Sequence, residues 1–429
     1  MSLRKKGISR LKTYFHFLEK KLKTDVRYLV SGGGVMMIGQ LGVTFIALVS
    51  SAAFANLITK EAYGTYQYIL GTAEFITTFS LIGLGRAAIT SVSHGKDGTL
   101  DEAFLKSLGF SGLALALGLG VGVYYYIQGD LLFAFGIGIG TACMVITNSS
   151  KIYLAFLNGR KLFSVSSGFT VIGLLIPSLV TIIALLLSHD LITIIIVSLS
   201  TSAFTNFLLF VWCRRYKRNN DRDPKLTREA LHLTSDMIFG RAIAYLDRLL
   251  LFQYAGPAVL AEYWVALNVE RQFSHLFKSA NVIAIPKLSK RPFAELQRTL
   301  PRKLLFLYIL IIPMLLFYVL IVPYIFKFIF PLYMDAVIYT QVLGLLFLYL
   351  PIKILLDTFI SHRMHHVLYR ITIITMVPKI PATFILVPWL GIWGVIITLF
   401  MEQTIHAVLI LWYFFHPHKA LATHDEEVV

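Results

Sequence analysis

Seven lysines and arginines, Arg86, Arg241, Arg248, Arg271, Lys278, Lys353 and Lys379, lie inside stretches that are otherwise apolar enough to cross a bilayer. A cation at the centre of a membrane helix costs roughly 3 kcal/mol even on a lenient insertion scale, so seven of them facing lipid would cost on the order of 20 kcal/mol. Such a chain folds only if these side chains face something polar. The arrangement this favours is a water-accessible cavity within the membrane, positively charged and so able to receive an anion.

Hydrophobic residues make up 57% of the chain and charged residues only 14%, against about 25% charged in a soluble globular protein. Apolar runs of about 20 residues or more recur along almost the whole length, which calls for helices and not for the short alternating strands of an outer-membrane barrel. The fold expected is an all-α membrane protein. Cys143 and Cys213 sit in or at the end of apolar spans without metal-ligand neighbours, so they are expected to pack and not to bridge or bind zinc. The first apolar span begins only near Tyr28 and continues for about thirty residues, too long for a cleavable signal.

Charge, Gly/Pro and turn residues bound twelve expected helices, near 28–58, 62–92, 104–127, 131–157, 163–187, 190–213, 234–256, 259–285, 303–327, 337–361, 370–388 and 391–415. With both termini on one side, thirty of the 39 Lys and Arg residues fall in the termini and even-numbered loops, against only Lys60 and Lys327 in the opposite loops. That bias places the termini in the cytoplasm of a bacterial inner membrane. Tyr124, Tyr125 and Tyr126 then end one span on the outer side, while Trp212, Tyr216, Trp412 and Tyr413 mark inner ends. No loop exceeds about twenty residues, which leaves no room for a soluble catalytic domain.

Residues 1–27 carry Ile8, Leu11, Phe15, Leu18 and Leu22 at three- and four-residue steps with Lys and Arg on the other face, the pattern of an amphipathic helix lying on an anionic leaflet. A solvated basic tail is the plain alternative. The longest polar break, 214–233, divides the helices six and six, as a linker between an N-lobe at 28–213 and a C-lobe at 234–416, with a tail at 417–429. The lobes also share a short turn ending in an acidic-Tyr pair, Glu61-Ala62-Tyr63 in one and Glu262-Tyr263 in the other. Internal duplication is the usual plan of transporters whose site lies between two repeats.

The Tyr28-Leu-Val-Ser-Gly-Gly-Gly opening, the Glu61-Ala-Tyr-Gly-Thr-Tyr turn, Phe79-Ser-Leu-Ile-Gly-Leu-Gly-Arg86, and the Asp247 and Ala261-Glu-Tyr stretch together resemble the bacterial polysaccharide-repeat-unit flippases. These belong to the superfamily of oligosaccharidyl-lipid flippases and multidrug exporters. The resemblance implies a V-shaped, two-lobed transporter that moves a sugar unit, linked through pyrophosphate to a polyprenol, from the cytoplasmic to the outer leaflet.

On the eighth helix Asn268, Arg271, His275 and Lys278 follow steps of three, four and three and so share a face, with Gln272 alongside. Arginine offers a planar fork and lysine a point charge to phosphate oxygens. The alternative is pairing with Glu270, Asp247 or Asp236. Arg241 and Arg248 are seven apart and superposed on the seventh helix, with Asp236 and Asp247 on a second line; one face is expected to pair internally and the other to meet cargo. Only Arg86 comes from the first half, so the cavity's charge is expected mainly from the second. Lys353 and Asp357, at i,i+4, are expected to pair structurally. Lys379, between Pro378 and Pro381, is either a cargo contact or a partner of carbonyls freed by the prolines.

Glu74, Glu402 and His406 are midspan positions suited to proton or sodium coupling, or to balancing the cations. His362, His365 and His366 lack metal-ligand company and read as interfacial. Gly118/Gly122 and Gly136/Gly140 are close-packing motifs. No Walker motif occurs, and Asp221-Arg-Asp223 sits in a loop too short to hold a nucleotide sugar. The expectation is a non-enzymatic carrier without cofactor. Its partners would be a polyprenyl-linked oligosaccharide, membrane lipids, a proton or sodium counter-ion and other polysaccharide-assembly proteins; nucleic acid is not among them. The alternatives are an organic-cation exporter, which would need an acidic cavity, and an integral-membrane glycosyltransferase or polymerase, which would need a larger outer loop or a carboxylate at a membrane edge.

Overall fold

A computed structural model describes residues 34–188, 190–288, 293–361 and 364–416. The amphipathic N-terminal segment and the C-terminal tail lie outside the described residues, as do the side chains of Asp236, His275, Lys278, Asp357, His365 and His366 and all of His362. Among the described residues there is no strand. The α-helices are α1 Gly34–Leu57, α2 Lys60–Thr77, α3 Leu84–Ser93, α4 Thr99–Phe110, α5 Gly112–Ile127, α6 Leu131–Ser150, α7 Ile152–Gly159 and α8 Phe163–Leu187, then α9 Leu191–Cys213, α10 Leu226–Ala255, α11 Pro257–Leu288, α12 Phe293–Ile329, α13 Val337–Gly344, α14 Leu350–Ser361, α15 His365–Leu390 and α16 Ile392–Phe415.

Nine helical stretches among the described residues are long and apolar enough to cross a membrane. The expected count of twelve rests on three more, α2, α10 and α11, which fall outside that set. They carry Lys60, Glu61 and Glu74, then Arg241, Asp247 and Arg248, then Glu262, Glu270 and Arg271. Helices this polar cannot face hydrocarbon, and in the fold they pack on one another: α2 lies against both α10 and α11. The residues that weaken the membrane signal are thus gathered where the two halves of the chain meet.

The recurring turns face each other at one end of this seam. Thr59 caps α2 by accepting the Ala62 N–H, and Gly256, at φ +88, sets up Pro257 as the first residue of α11. A Cβ on Gly64 would lie 1.7 Å from the Pro257 carbonyl oxygen, so the two backbones touch. Lys60 reaches Glu262 at 2.6 Å and Asp335 at 3.7 Å, Asn56 donates to the Ile329 carbonyl at 2.8 Å, and Tyr63 and Tyr263 are both buried. Further along, Tyr68 stacks on Phe252 with ring centroids 3.9 Å apart, and Phe75 meets Tyr245.

At the Lys60 end a single apolar core spans both halves, from Phe54, Tyr63 and Ile69 to Leu260, Tyr318 and Tyr333. At the far end there are two separate cores. One gathers Leu84, Phe156 and Phe210 of the first half with Leu226 and Ala230 of α10; the other gathers Leu300, Phe359 and Phe414 of the second half. The molecule is therefore joined at one end and divided at the other, a V in outline. Gly118 and Gly122 bring α5 onto Thr141 and Ala134 of α6, whereas Gly136 and Gly140 bring α6 onto α2 and α9, so both motifs serve helix contact within the first half.

Several boundaries move. α10 begins at Leu226, eight residues before the expected start, and its first turns pack with the first half: the Thr234 hydroxyl accepts the Gly83 N–H at 2.9 Å. The linker is consequently shorter than 214–233 and is clamped. Asp101 binds Arg214 and Lys217, Asp97 binds Arg160 and accepts the Arg218 N–H, and Asp223 takes Lys96 at 2.9 Å and the Ser91 hydroxyl at 2.7 Å. Asp223 is thus an ion-pair partner. Lys151, inside the expected helix 131–157, stands at the break between α6 and α7.

Candidate functional site

α2, α10 and α11 bring a band of polar side chains to the seam. Seven-residue spacing on α10 superposes Arg241 and Arg248 with Tyr245 between them, as the helical period requires. On α11 the same spacing superposes Trp264, Asn268 and Arg271. The Trp264 ring sits between the two helices' cations, with the Arg248 guanidinium carbon 4.4 Å and the Arg271 guanidinium carbon 5.7 Å from its centre. Arg248 also lies 5.1 Å from the Tyr245 ring. It is 8% exposed, whereas Arg271 is half-buried.

Among the described residues neither arginine meets a carboxylate within ion-pair distance. Stacking on aromatic faces recovers about 0.5–2 kcal/mol, less than the several kcal/mol that removing a cation from water costs. The two guanidiniums also repel each other. Stacking uses the faces of a guanidinium and leaves its N–H edges available, which is the geometry that grips phosphate or carboxylate oxygens two at a time. Beside them Gln272 donates to Asn268 at 3.0 Å, and the Ser274 hydroxyl donates to Glu270.

From α2, the exposed Glu74 faces Tyr245 and lies within electrostatic range of Arg248. It is equally in range of Lys151, across on the α6–α7 break. Lys151 is exposed to solvent. A polar line thus runs from Lys151 through Glu74 and Tyr245 to Arg248, Trp264 and Arg271. The sequence conceals Lys151 because, at the cytoplasmic end of the expected helix 131–157, it counts with Arg160 and Lys161 as a topology signal.

Lys379 corrects the sequence reading. Its ammonium is 3% exposed and lies 2.7 Å from Glu402 and 3.3 Å from Asp247, so it neither lines a cavity nor meets proline-freed carbonyls. Asp247 and Arg248 are adjacent on α10, and the helical turn of about 100° per residue sends one towards α15 and the other towards Trp264. The pairing expected within α10 is thus replaced, for Asp247, by an ion pair with Lys379 of α15. Glu402 is thereby a counter-charge to Lys379, with His406 one turn on, between Glu402 and Lys353 in electrostatic range. Arg86 and Arg241 are exposed and meet no carboxylate among the described residues. The expected places of Asp236, His275, Lys278 and Asp357 fall on side chains outside the described residues.

The fold has solved counterparts. An outward-facing and an inward-facing multidrug resistance MATE family transporter of the MOP superfamily each superpose with a TM-score of 0.62, at 15% and 13% identity. The alignments cover 92% of this chain and 96% of the first, and 90% of this chain and 99% of the second. A MOP superfamily transporter from Pyrococcus furiosus, described as having a binding pocket of reverse polarity that suggests a different function, aligns at TM-score 0.59 and 14% identity over 92% of this chain and 96% of its own. No curated protein sequence matches. At these identities the likeness is one of fold, and the fold is that of multi-pass membrane transporters. Residues 29–291, more than half of the chain, match the family of polysaccharide biosynthesis proteins, and the chain belongs to that family.

Proposed function

We propose that this protein is a flippase that carries a polyprenyl-(pyro)phosphate-linked oligosaccharide across the bacterial cytoplasmic membrane for cell-surface polysaccharide assembly. The observation that carries the reading is the Arg248–Trp264–Arg271 cluster: two cations with no carboxylate within ion-pair distance among the described residues, in a family of polysaccharide biosynthesis. An exporter of organic cations would need the opposite charge at this place. The reverse-polarity pocket of the archaeal relative offers a precedent within the same fold.

The Lys/Arg-rich end, with the Asp97 and Asp223 clamps, is then cytoplasmic and the Lys60 end faces outward. With that orientation, the single core at the Lys60 end and the two cores opposite support reading this as a state open to the cytoplasm. Headgroup binding would relieve the repulsion between Arg248 and Arg271 and so favour closure at the cytoplasmic end, with reopening at the Lys60 end releasing the sugar while the polyprenyl chain stays in lipid. No bond is made or broken in this cycle.

The test is translocation by the purified protein in sealed vesicles carrying a labelled polyprenyl diphosphate-linked glycan, scored by the fraction accessible to an external glycosidase. Transfer that depends on Arg248 and Arg271 is expected. Absence of transfer, together with uptake of a cationic dye, would transfer the assignment to a cation exporter.

A further inference from the structure

A crevice of about 170 Å³ opens in the first half of the chain between α1, α7 and α8. Its polar lining is Gln40, Asn158, Ser166, Ser167 and Thr170, and no lining residue is charged. Amides and hydroxyls that can each donate or accept, with no net charge, form the chemistry that recognises sugar hydroxyls and not an ion. The volume is below the roughly 300–1,000 Å³ of a drug-sized pocket, which suits a single sugar ring.

Two further observations give the crevice a direction. The Asn158 side-chain oxygen is buried with no hydrogen-bond partner among the described residues, an acceptor facing a need for a donor. The backbones also approach closely here, since a Cβ on Gly39 would come 2.8 Å from the Ser167 Cβ. Lys151 stands one turn before the crevice residue Leu154 and two turns before Asn158, about 10 Å at 1.5 Å per residue. Among the described residues it meets no carboxylate within ion-pair distance. An uncharged, sugar-sized crevice therefore lies one to two helical turns from a cation that solvent reaches, a span that a phosphate and the lysine side chain can bridge together.

We propose that this crevice is a monosaccharide subsite that takes the sugar attached directly to the lipid phosphate, with Lys151 contacting that phosphate from the side opposite Arg248 and Arg271. The proposal rests on the reading of the cargo as a phosphate-linked sugar and adds to it a second contact region, in the half of the chain poorest in buried cations. Asn158 and Ser167 would then select for the presence of the sugar, and Lys151 for the phosphate whether or not a sugar follows.

The experiment compares binding of two probes to the full-length protein in lipid nanodiscs: a polyprenyl diphosphate without sugar, and the same lipid bearing one N-acetylhexosamine. The wild-type protein is expected to prefer the sugar-bearing probe by about tenfold, the worth of one or two added hydrogen bonds. Asn158→Leu and Ser167→Ala should each erode that preference while leaving the bare diphosphate bound within about twofold. Since the Asn158 oxygen has no internal partner and Ser167→Ala only removes a hydroxyl, at least one variant is expected to fold normally. Lys151→Met should weaken both probes alike by about tenfold. Equal binding of both probes by the wild type, or an undiminished preference in a folded Asn158→Leu or Ser167→Ala protein, overturns the subsite but leaves the flippase reading standing. Failure of the wild type to bind either probe overturns both.

Discussion

Two buried cations of the second half have opposite surroundings, although the residues that create the difference are neighbours in sequence. Lys379 is enclosed by Asp247 and Glu402, while Arg248, the residue after Asp247, stacks on Trp264 and Tyr245 with no carboxylate within ion-pair distance among the described residues. The first is an ion cluster with one carboxylate more than it has ammoniums. The second is positive charge beside a second arginine, with Glu74 in electrostatic range but no carboxylate within ion-pair distance among the described residues. A protein gains little stability from the latter arrangement, which is what makes Arg248 and Arg271 the proposed place for the anionic headgroup.

The sharpest way to break this comparison is to remove the two charges separately. Lys379→Met leaves two carboxylates facing each other in a buried site, and is expected to cost about 3 kcal/mol, seen as a loss of folded protein in the membrane and of resistance to denaturation. Adding Asp247→Asn and Glu402→Gln should recover most of that loss, because the unpaired charges go with it. If Arg248→Met proves equally destabilising, Arg248 is also a structural ion and the distinction fails.

Function should respond the other way round. Arg248→Met and Arg271→Met are expected to leave the amount of folded protein unchanged while lowering glycan translocation by about 30-fold or more, the usual scale for deleting one partner of a buried charge contact with a ligand. Arg248→Lys sharpens the point, since it keeps the charge but loses both the planar fork and the stacking on Trp264. Its expected loss is about tenfold, measured in the same vesicle assay. Full activity in the lysine variant would mean that charge alone matters at this position.

The sequence revealed the cations, the helical class and the recurrence of the two turns, because charge in an apolar run and a 3.6-residue period are local signals. That the two turns touch was not legible in it. The partners were not legible: Asp247 and Glu402 approach Lys379 from helices 132 residues before it and 23 after it, and no spacing rule joins them. For the same reason Lys379 resembled a cargo contact. The aromatic half of the arginine site was equally hidden, since Trp264 sits in a run of Tyr, Trp, Val and Ala that reads as ordinary packing. Lys151 shows the converse error, in which a topology signal absorbed a residue that the break between α6 and α7 brings to the polar line.

The linker clamp offers a third kind of charge for the comparison, compensated but close to water. Lys96, first, and then the Ser91 hydroxyl bind the Asp223 carboxylate and lower its pKa from 3.8 to about 2. A carboxyl group depressed on folding stabilises the folded state above its unfolded value, so the contribution is complete above about pH 4 and is lost as pH falls through about 2. Because Lys96 is 36% exposed, solvent screens the pair, and Asp223→Asn is expected to cost only about 1 kcal/mol at neutral pH. Denaturant unfolding of the detergent-solubilised protein should show that difference from wild type shrinking between pH 4 and pH 2. A difference that persists unchanged at pH 2 would mean that the Ser91 and Lys225 N–H contacts, and not the charge on Asp223, hold the linker against the first half. The clamp would then be a matter of hydrogen-bond shape, and the contrast between paired and unpaired charge would apply only within the membrane.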